Sequence, residues 1–137
     1  MKKINLILIL LVSFLSLYNC DRKDDPAVLP QQDVLTGVYS LREFSPGFGP
    51  FETYNPNDVI WQFMPDKSLV VKINTTLLAN SQLPFVASTT ATYTLVNDEK
   101  VTINEITYQI SFTENKLILN ADASADGKLI TFDKIEI

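Results

Sequence analysis

From residue 35 to the end of the chain, apolar and polar residues alternate in short segments. The clearest case is 106–113, where Ile106, Tyr108, Ile110 and Phe112 are separated by polar residues. A period of two is typical of a β-strand with one buried and one solvated face. Similar segments, rich in β-branched and aromatic residues, predict eight strands at 35–44, 58–64, 68–74, 88–96, 100–104, 106–113, 116–120 and 128–135. No convincing helical period occurs here, so we expect an all-β domain.

The apolar faces of these segments form the predicted core. Few of the side chains are small, so they should fill the lower part of the interior. The last segment is ambiguous, because Ile130 and Phe132 share one face while Leu129 and Ile135 share the other. The predicted inward residues are Tyr39, Leu41, Val59, Trp61, Phe63, Leu69, Val71, Ile73, Tyr93, Leu95, Val101, Ile103, Ile106, Tyr108, Ile110, Phe112, Leu117 and Leu119.

The lengths of the connections predict the topology. Turns at 65–67, 97–99 and 114–115 are short enough for hairpins, whereas 45–57 and 75–87 are long. In an up-and-down arrangement the three hairpin turns share one end and both long loops share the other. Eight one-sided antiparallel strands avoid exposed edges by closing into a barrel. A β-sandwich is the alternative.

The segment 1–19 is expected to be a signal peptide. Lys2 and Lys3 precede an apolar run at 4–18. A helix of that length would reach about 22 Å, shorter than the hydrocarbon core of about 30 Å that a permanent span must cross. The run ends at Leu17-Tyr18-Asn19-Cys20, which resembles a bacterial lipobox. The resemblance implies cleavage before Cys20 and a lipid on its thiol, with a buried structural thiol as the alternative.

The residues that follow Cys20 concern localisation. Lys23, Asp24 and Asp25 resemble the export signal that sends Bacteroidota lipoproteins to the outer face of the outer membrane. One alternative is a solvated linker, and another is that the protein faces the periplasm. Asp21, directly after Cys20, also resembles an inner-membrane retention signal of other bacteria. The segment 20–34 is predicted to be the lipidated cysteine and a flexible acidic tether.

The opening of the predicted barrel carries a second resemblance. Gly37 and Tyr39 lie in a strand that is similar to the Gly-x-Trp strand of lipocalins and other calycins, with Tyr39 in place of Trp. The later strands are similar to small lipocalin-like lipoprotein domains of Bacteroidota. The resemblance covers 35–137 and implies an eight-stranded lipocalin-like barrel domain.

The candidate binding residues lie at the end that carries the long loops. Phe48, Phe51 and Tyr54 lie among glycines and prolines where strand alternation cannot explain them, so they either plug the barrel or form a contact surface. Phe85 in the other long loop and Trp61 in the second strand complete the predicted ligand- or partner-binding set.

Composition excludes several classes of function. The chain has no His and one Cys, which removes the usual imidazole base, most zinc sites and Ser-His or Cys-His nucleophiles. We therefore expect that the protein is not an enzyme and that it binds no cofactor and no metal. A net charge of −5 and a pI near 4.6 also argue against a nucleic-acid partner.

Two weaker patterns remain as alternatives. The segment 122–127 with Asp133 partly matches a calcium loop, although a simple turn explains it equally. Glu43, Glu52 and Asp58 border the loop end, where a carboxylate pair for glycoside cleavage would lie, but surface acids are usually only solvated.

Three functions from different classes fit these observations. The first is an outer-membrane lipoprotein that binds a small apolar or amphipathic molecule, or a glycan fragment, near the barrel mouth. The second is an accessory protein whose loops contact an outer-membrane partner. The third is a hydrolase inhibitor that acts through a loop.

Overall fold

A computed structural model describes residues 33–121 and 127–136 of the chain, and these residues form a closed antiparallel β-barrel. The barrel strands follow one another in sequence order, and the last pairs with the first. The predicted eight-stranded up-and-down barrel is thus confirmed, and the sandwich is excluded. One additional short strand is present. The strands are β1 (Gly37–Ser45), β2 (Glu52–Thr53), β3 (Val59–Phe63), β4 (Ser68–Ile73), β5 (Thr89–Asn97), β6 (Lys100–Ile103), β7 (Ile106–Thr113), β8 (Lys116–Asn120) and β9 (Leu129–Ile135).

The two ends of the barrel differ as the connection lengths predict. The short turns after β3, β5 and β7 lie at one end, called here the hairpin end. The connections 46–58 and 74–88 lie at the opposite end, called here the loop end. Strand β2 lies within the first of these connections and pairs with β1 through Glu43 and Phe44. It continues the line of β3 along β1, a detail that the sequence pattern does not reveal.

A bulge in β1 alters the predicted alternation. The pairing with β9 shifts between Leu41 and Glu43, so Arg42 is the extra residue. After the bulge Phe44 rather than Glu43 faces the interior, where it is fully buried. Because the period of two breaks at this point, the pattern could not identify Phe44 as a core residue.

Aromatic rings fill the middle of the barrel. Trp61 packs against Phe132 with ring centroids 5.1 Å apart, and Phe63 packs edge-on against Tyr93 at 5.1 Å. Phe132 and Ile130 are fully buried, which resolves the ambiguity of the last strand. Such ring pairs stabilise the core by about 0.5–1.5 kcal/mol each beyond their area burial.

Most of the predicted inward residues are buried, but Phe112 is not. Its side chain is 49% exposed although it lies on the same face of β7 as Tyr108. Lys100, the first residue of β6, pairs with Gln109, so β7 runs four residues farther than β6 at the hairpin end. Phe112 therefore lies past the end of β6, and the prediction that it contributes to the core was wrong.

The segment before β1 closes the hairpin end. Leu35 is fully buried, and the Asp33 carboxylate accepts hydrogen bonds from Lys67 Nζ at 2.5 Å and from the Tyr93 hydroxyl. Burial of Asp33 opposes its ionisation, but the hydrogen bonds outweigh burial and lower the pKa of its carboxyl. Asp33 falls in the segment predicted to be a tether, and its contacts extend the ordered domain to this residue.

Candidate functional site

The predicted binding residues occupy two different environments at the loop end. Phe48 and Phe51 are 74% and 68% exposed. Tyr54 is half-buried, and Trp61 is 1% exposed. Phe85 is half-buried against Trp61, with ring centroids 5.4 Å apart. The structure therefore leaves Phe48 and Phe51 available for contact and covers Trp61.

The long loop 74–88 supplies the plug. Leu83 is buried, and Leu77 and Phe85 pack against the core cluster. Phe48 and Phe51, which the sequence offered as either plug or contact surface, remain outside it. The loop 74–88 thus closes most of the loop end, and Tyr54 of the first long loop also packs against the core. Phe48 and Phe51 of that loop stay exposed to solvent.

A buried acid joins the two long loops. Glu52 in β2 is 7% exposed, and its carboxylate accepts hydrogen bonds from the Tyr54 hydroxyl at 2.5 Å and the Ser81 hydroxyl at 2.8 Å. Burial, followed by the hydrogen bond to Glu52, raises the pKa of Tyr54 to about 12, so its hydroxyl keeps its proton and donates. The expectation that this acid is solvated was wrong. Its partner Ser81 lies in the other loop, and no local sequence signal marks the pairing.

Further hydrogen bonds tie the same loops together. Asn74 donates through its backbone N–H to the Asp58 carbonyl at 2.7 Å and through Nδ2 to the Asn57 carbonyl at 2.8 Å. Asp58 Oδ2 accepts from the Asn55 backbone N–H at 3.0 Å. The Asn57 backbone N–H donates to Ser40 Oγ at 2.9 Å, which ties the connection to β1. These bonds hold the loops at a defined separation.

Between the tied loops lies an open groove with a volume of about 400 Å³. Exposed Phe51 and Leu78 contribute apolar surface, while hydroxyl, amide and carboxylate groups supply polar atoms. The volume falls within the range of small-molecule sites, which is about 300–1,000 Å³. The groove is lined by Phe51, Glu52, Thr53, Tyr54, Asn55, Asp58, Thr75, Thr76 and Leu78.

A second depression lies beside β5 and β6. Its volume is about 460 Å³, and Thr92, Thr94 and Thr102 contribute to its lining. Thr94 and Thr102 are cross-strand partners, so their hydroxyls belong to the outer face of the sheet. This surface has no aromatic ring among its described lining residues, in contrast to the groove.

The predicted lipidation and export residues and most of the calcium-like pattern cannot be placed in the barrel. Cys20, Lys23, Asp24 and Asp25 lie outside the described residues, as does 122–126 of the calcium-like pattern. Asp133, its proposed last ligand, instead pairs with Arg42 Nε at 3.2 Å. Within the described ranges, no group of three or more acidic or sulfur-containing residues is arranged to hold a metal.

Comparison with known proteins does not assign this chain to a family. No protein-family model matches the chain, and no curated protein matches it. The barrel is compatible with a lipocalin-like fold. No helix within 33–121 and 127–136 has the length and apolarity needed to cross a membrane.

Proposed function

We propose that this protein is a non-enzymatic outer-membrane lipoprotein, anchored through Cys20, that binds a small amphipathic molecule or glycan fragment at the loop end of its barrel. The groove carries this proposal, because it combines an exposed aromatic ring with hydrogen-bonding groups in a volume suited to a small ligand. The interior is a poorer candidate. Phe85 covers Trp61, and the aromatic rings beneath it pack against one another.

The position of Asp33 supports an anchored binding module. Asp33 is bonded at the hairpin end, opposite the groove. The segment that leads back to Cys20 therefore joins the barrel away from the groove, and an anchor on that segment leaves the groove unobstructed at this attachment point.

Contact with a protein partner is the second candidate. Phe48 is the most exposed large apolar side chain described, and it lies outside the groove lining. Val86 in the other long loop is also exposed. Together with Phe51 and Leu78 they give the loop end apolar surface beyond what a small ligand would cover, which favours an outer-membrane protein or a hydrolase as the occupant.

Two measurements test the proposal. Mass spectrometry of the mature protein should find acyl chains on the cysteine, and Cys20→Ser should release the protein from the membrane fraction. The purified chain should also show a higher melting temperature with at least one member of a panel of oligosaccharides, alkyl alcohols and fatty acids. An unmodified cysteine would refute the anchor. An unresponsive panel, together with copurification of another protein at fixed stoichiometry, would favour the partner-binding alternative.

A further inference from the structure

We infer that the groove between the two long loops takes an uncharged saccharide, which packs against the Phe51 ring and hydrogen-bonds to the polar side chains around it. This inference rests on the proposed binding function and narrows it to one class of ligand.

The lining of the groove is amphipathic. Phe51 and Leu78 offer apolar surface, and Thr75, Thr76 and Asn55 add hydroxyl and amide groups close by. A purely apolar ligand would remove these polar groups from water without replacing their hydrogen bonds, which is costly. A sugar ring has an apolar C–H face and a rim of hydroxyls, so it can cover the ring of Phe51 and still bond to the groups around it.

The charge of the groove selects against anions. Glu52 and Asp58 contribute carboxylates, and no Lys or Arg occurs among the described residues that line it. An anionic ligand about 5 Å from such a carboxylate would be repelled by on the order of 1–3 kcal/mol, depending on the local dielectric. Fatty acids, phosphorylated molecules and uronic acid oligomers are therefore disfavoured relative to neutral sugars.

The groove is also organised before a ligand arrives. The Ser81 hydroxyl reaches Glu52 at 2.8 Å, and Asn74 donates to the Asp58 carbonyl at 2.7 Å, so both walls are fixed to each other. Fixed hydrogen-bonding groups lose little conformational entropy on binding, which favours polar ligands that need several bonds at once. The exposed Phe51 has no buried packing to lose when a ligand covers it.

The test uses the full-length chain purified in a polyoxyethylene detergent, which has no sugar headgroup. Isothermal titration calorimetry would compare neutral trisaccharides (cellotriose, maltotriose, mannotriose and chitotriose) with trigalacturonate and decanoate. We expect a neutral trisaccharide to bind about tenfold or more tighter than either anion. Phe51→Ala should weaken that binding about tenfold, since the apolar contact is lost. Phe112→Ala removes an exposed ring at the hairpin end, away from the groove, and should change that binding less than twofold.

Asp58→Asn supplies a second arm. It removes one carboxylate charge while keeping the side-chain shape and an acceptor oxygen for Asn55. We expect it to reduce the discrimination between neutral and anionic trisaccharides. Tighter binding of trigalacturonate or decanoate to the unaltered protein would overturn the saccharide inference while leaving a binding function intact. Equal loss of sugar binding in Phe51→Ala and Phe112→Ala would also overturn it. No binding of any probe would refute both proposals.

Discussion

The Asp33 contacts predict that the residue preceding the barrel stabilises the whole fold. The change proposed is Asp33→Asn, which removes the charge and keeps the size of the side chain. Asp33 is 4% exposed at its side chain and accepts from Lys67 Nζ at 2.5 Å, from the Tyr93 hydroxyl and from the Leu35 backbone N–H at 2.9 Å. The change therefore affects two interactions that join the segment before β1 to β5 and to the turn after β3, and one hydrogen bond within that segment.

The size of the effect follows from these partners. Lys67 is 44% exposed, so its ion pair is partly screened and is worth about 1 kcal/mol or less. Hydrogen bonds to a charged group are worth about 1.5–3 kcal/mol each. Part of this is retained, because the Tyr93 hydroxyl can still donate to the Met64 carbonyl at 2.9 Å and asparagine keeps one acceptor oxygen. We therefore expect the free energy of unfolding to fall by about 2 kcal/mol near pH 7.

The same substitution predicts a pH dependence with a definite sign. The folded-state pKa of Asp33 is lowered, so its ionised form stabilises the fold above the unfolded pKa of about 3.9. That stabilisation is lost as the pH falls through the folded-state value. The difference between the original protein and Asp33→Asn should accordingly be largest near neutral pH and shrink below pH 4.

Urea denaturation followed by the emission of Trp61, the chain's one tryptophan, measures these quantities. Glu99→Gln is the matched control, because Glu99 is an exposed acid in the neighbouring turn at the hairpin end. It should change stability by less than about 0.5 kcal/mol. The reasoning fails if Asp33→Asn is as mild as this control at pH 7, or if its effect is the same at pH 3 and pH 7.

Four further substitutions test the packing, each by urea or thermal unfolding. Leu83→Ala should lower stability by about 2–3 kcal/mol because Leu83 is buried in the plug. Phe48→Ala should change stability by less than about 0.5 kcal/mol because its ring is exposed. A larger loss in Phe48→Ala than in Leu83→Ala would mean that the wrong loop is assigned as the plug. Gly37→Ala should cost about 1–2 kcal/mol because Gly37 has φ +153°, a backbone conformation that alanine rarely adopts, and an unchanged midpoint would contradict this. Tyr108→Phe should raise stability by about 1 kcal/mol because its buried hydroxyl has no described hydrogen-bond partner; a loss would show that the hydroxyl is satisfied in solution.

The sequence predicts structural features that depend on neighbouring residues, such as strand positions, and misses those that depend on residues far apart in the chain, such as strand register. Alternation of apolar and polar residues located the barrel strands to within two residues at each end, because a half-buried strand imposes that period on the chain. The bulge at Arg42 breaks the period, so Phe44 escaped the predicted core. Phe112 follows the pattern but lies past the end of β6, and only the register between strands shows this.

The sequence predicts which end of the barrel carries the groove, but not its lining. Loop lengths located both long loops at one end, yet only Phe51 and Tyr54 of the predicted binding residues line the groove. The burial of Glu52 could not be predicted, because its partner Ser81 is 29 residues away in a loop with no period. Asp33 is likewise separated from Lys67 by 34 residues. Such pairs form only when the barrel closes and brings its connections together.

The buried carboxylates of Asp33 and Glu52 hold opposite ends of the barrel through separate sets of hydrogen bonds. Asp33 fixes the segment before β1 at the hairpin end, and Glu52 fixes the two long loops at the loop end. Between them lie the packed rings of Trp61, Phe63 and Phe132, which have little freedom to rearrange. The groove should therefore keep its geometry when the contacts of Asp33 are removed, so Asp33→Asn should lower stability without changing the binding of a ligand at the loop end.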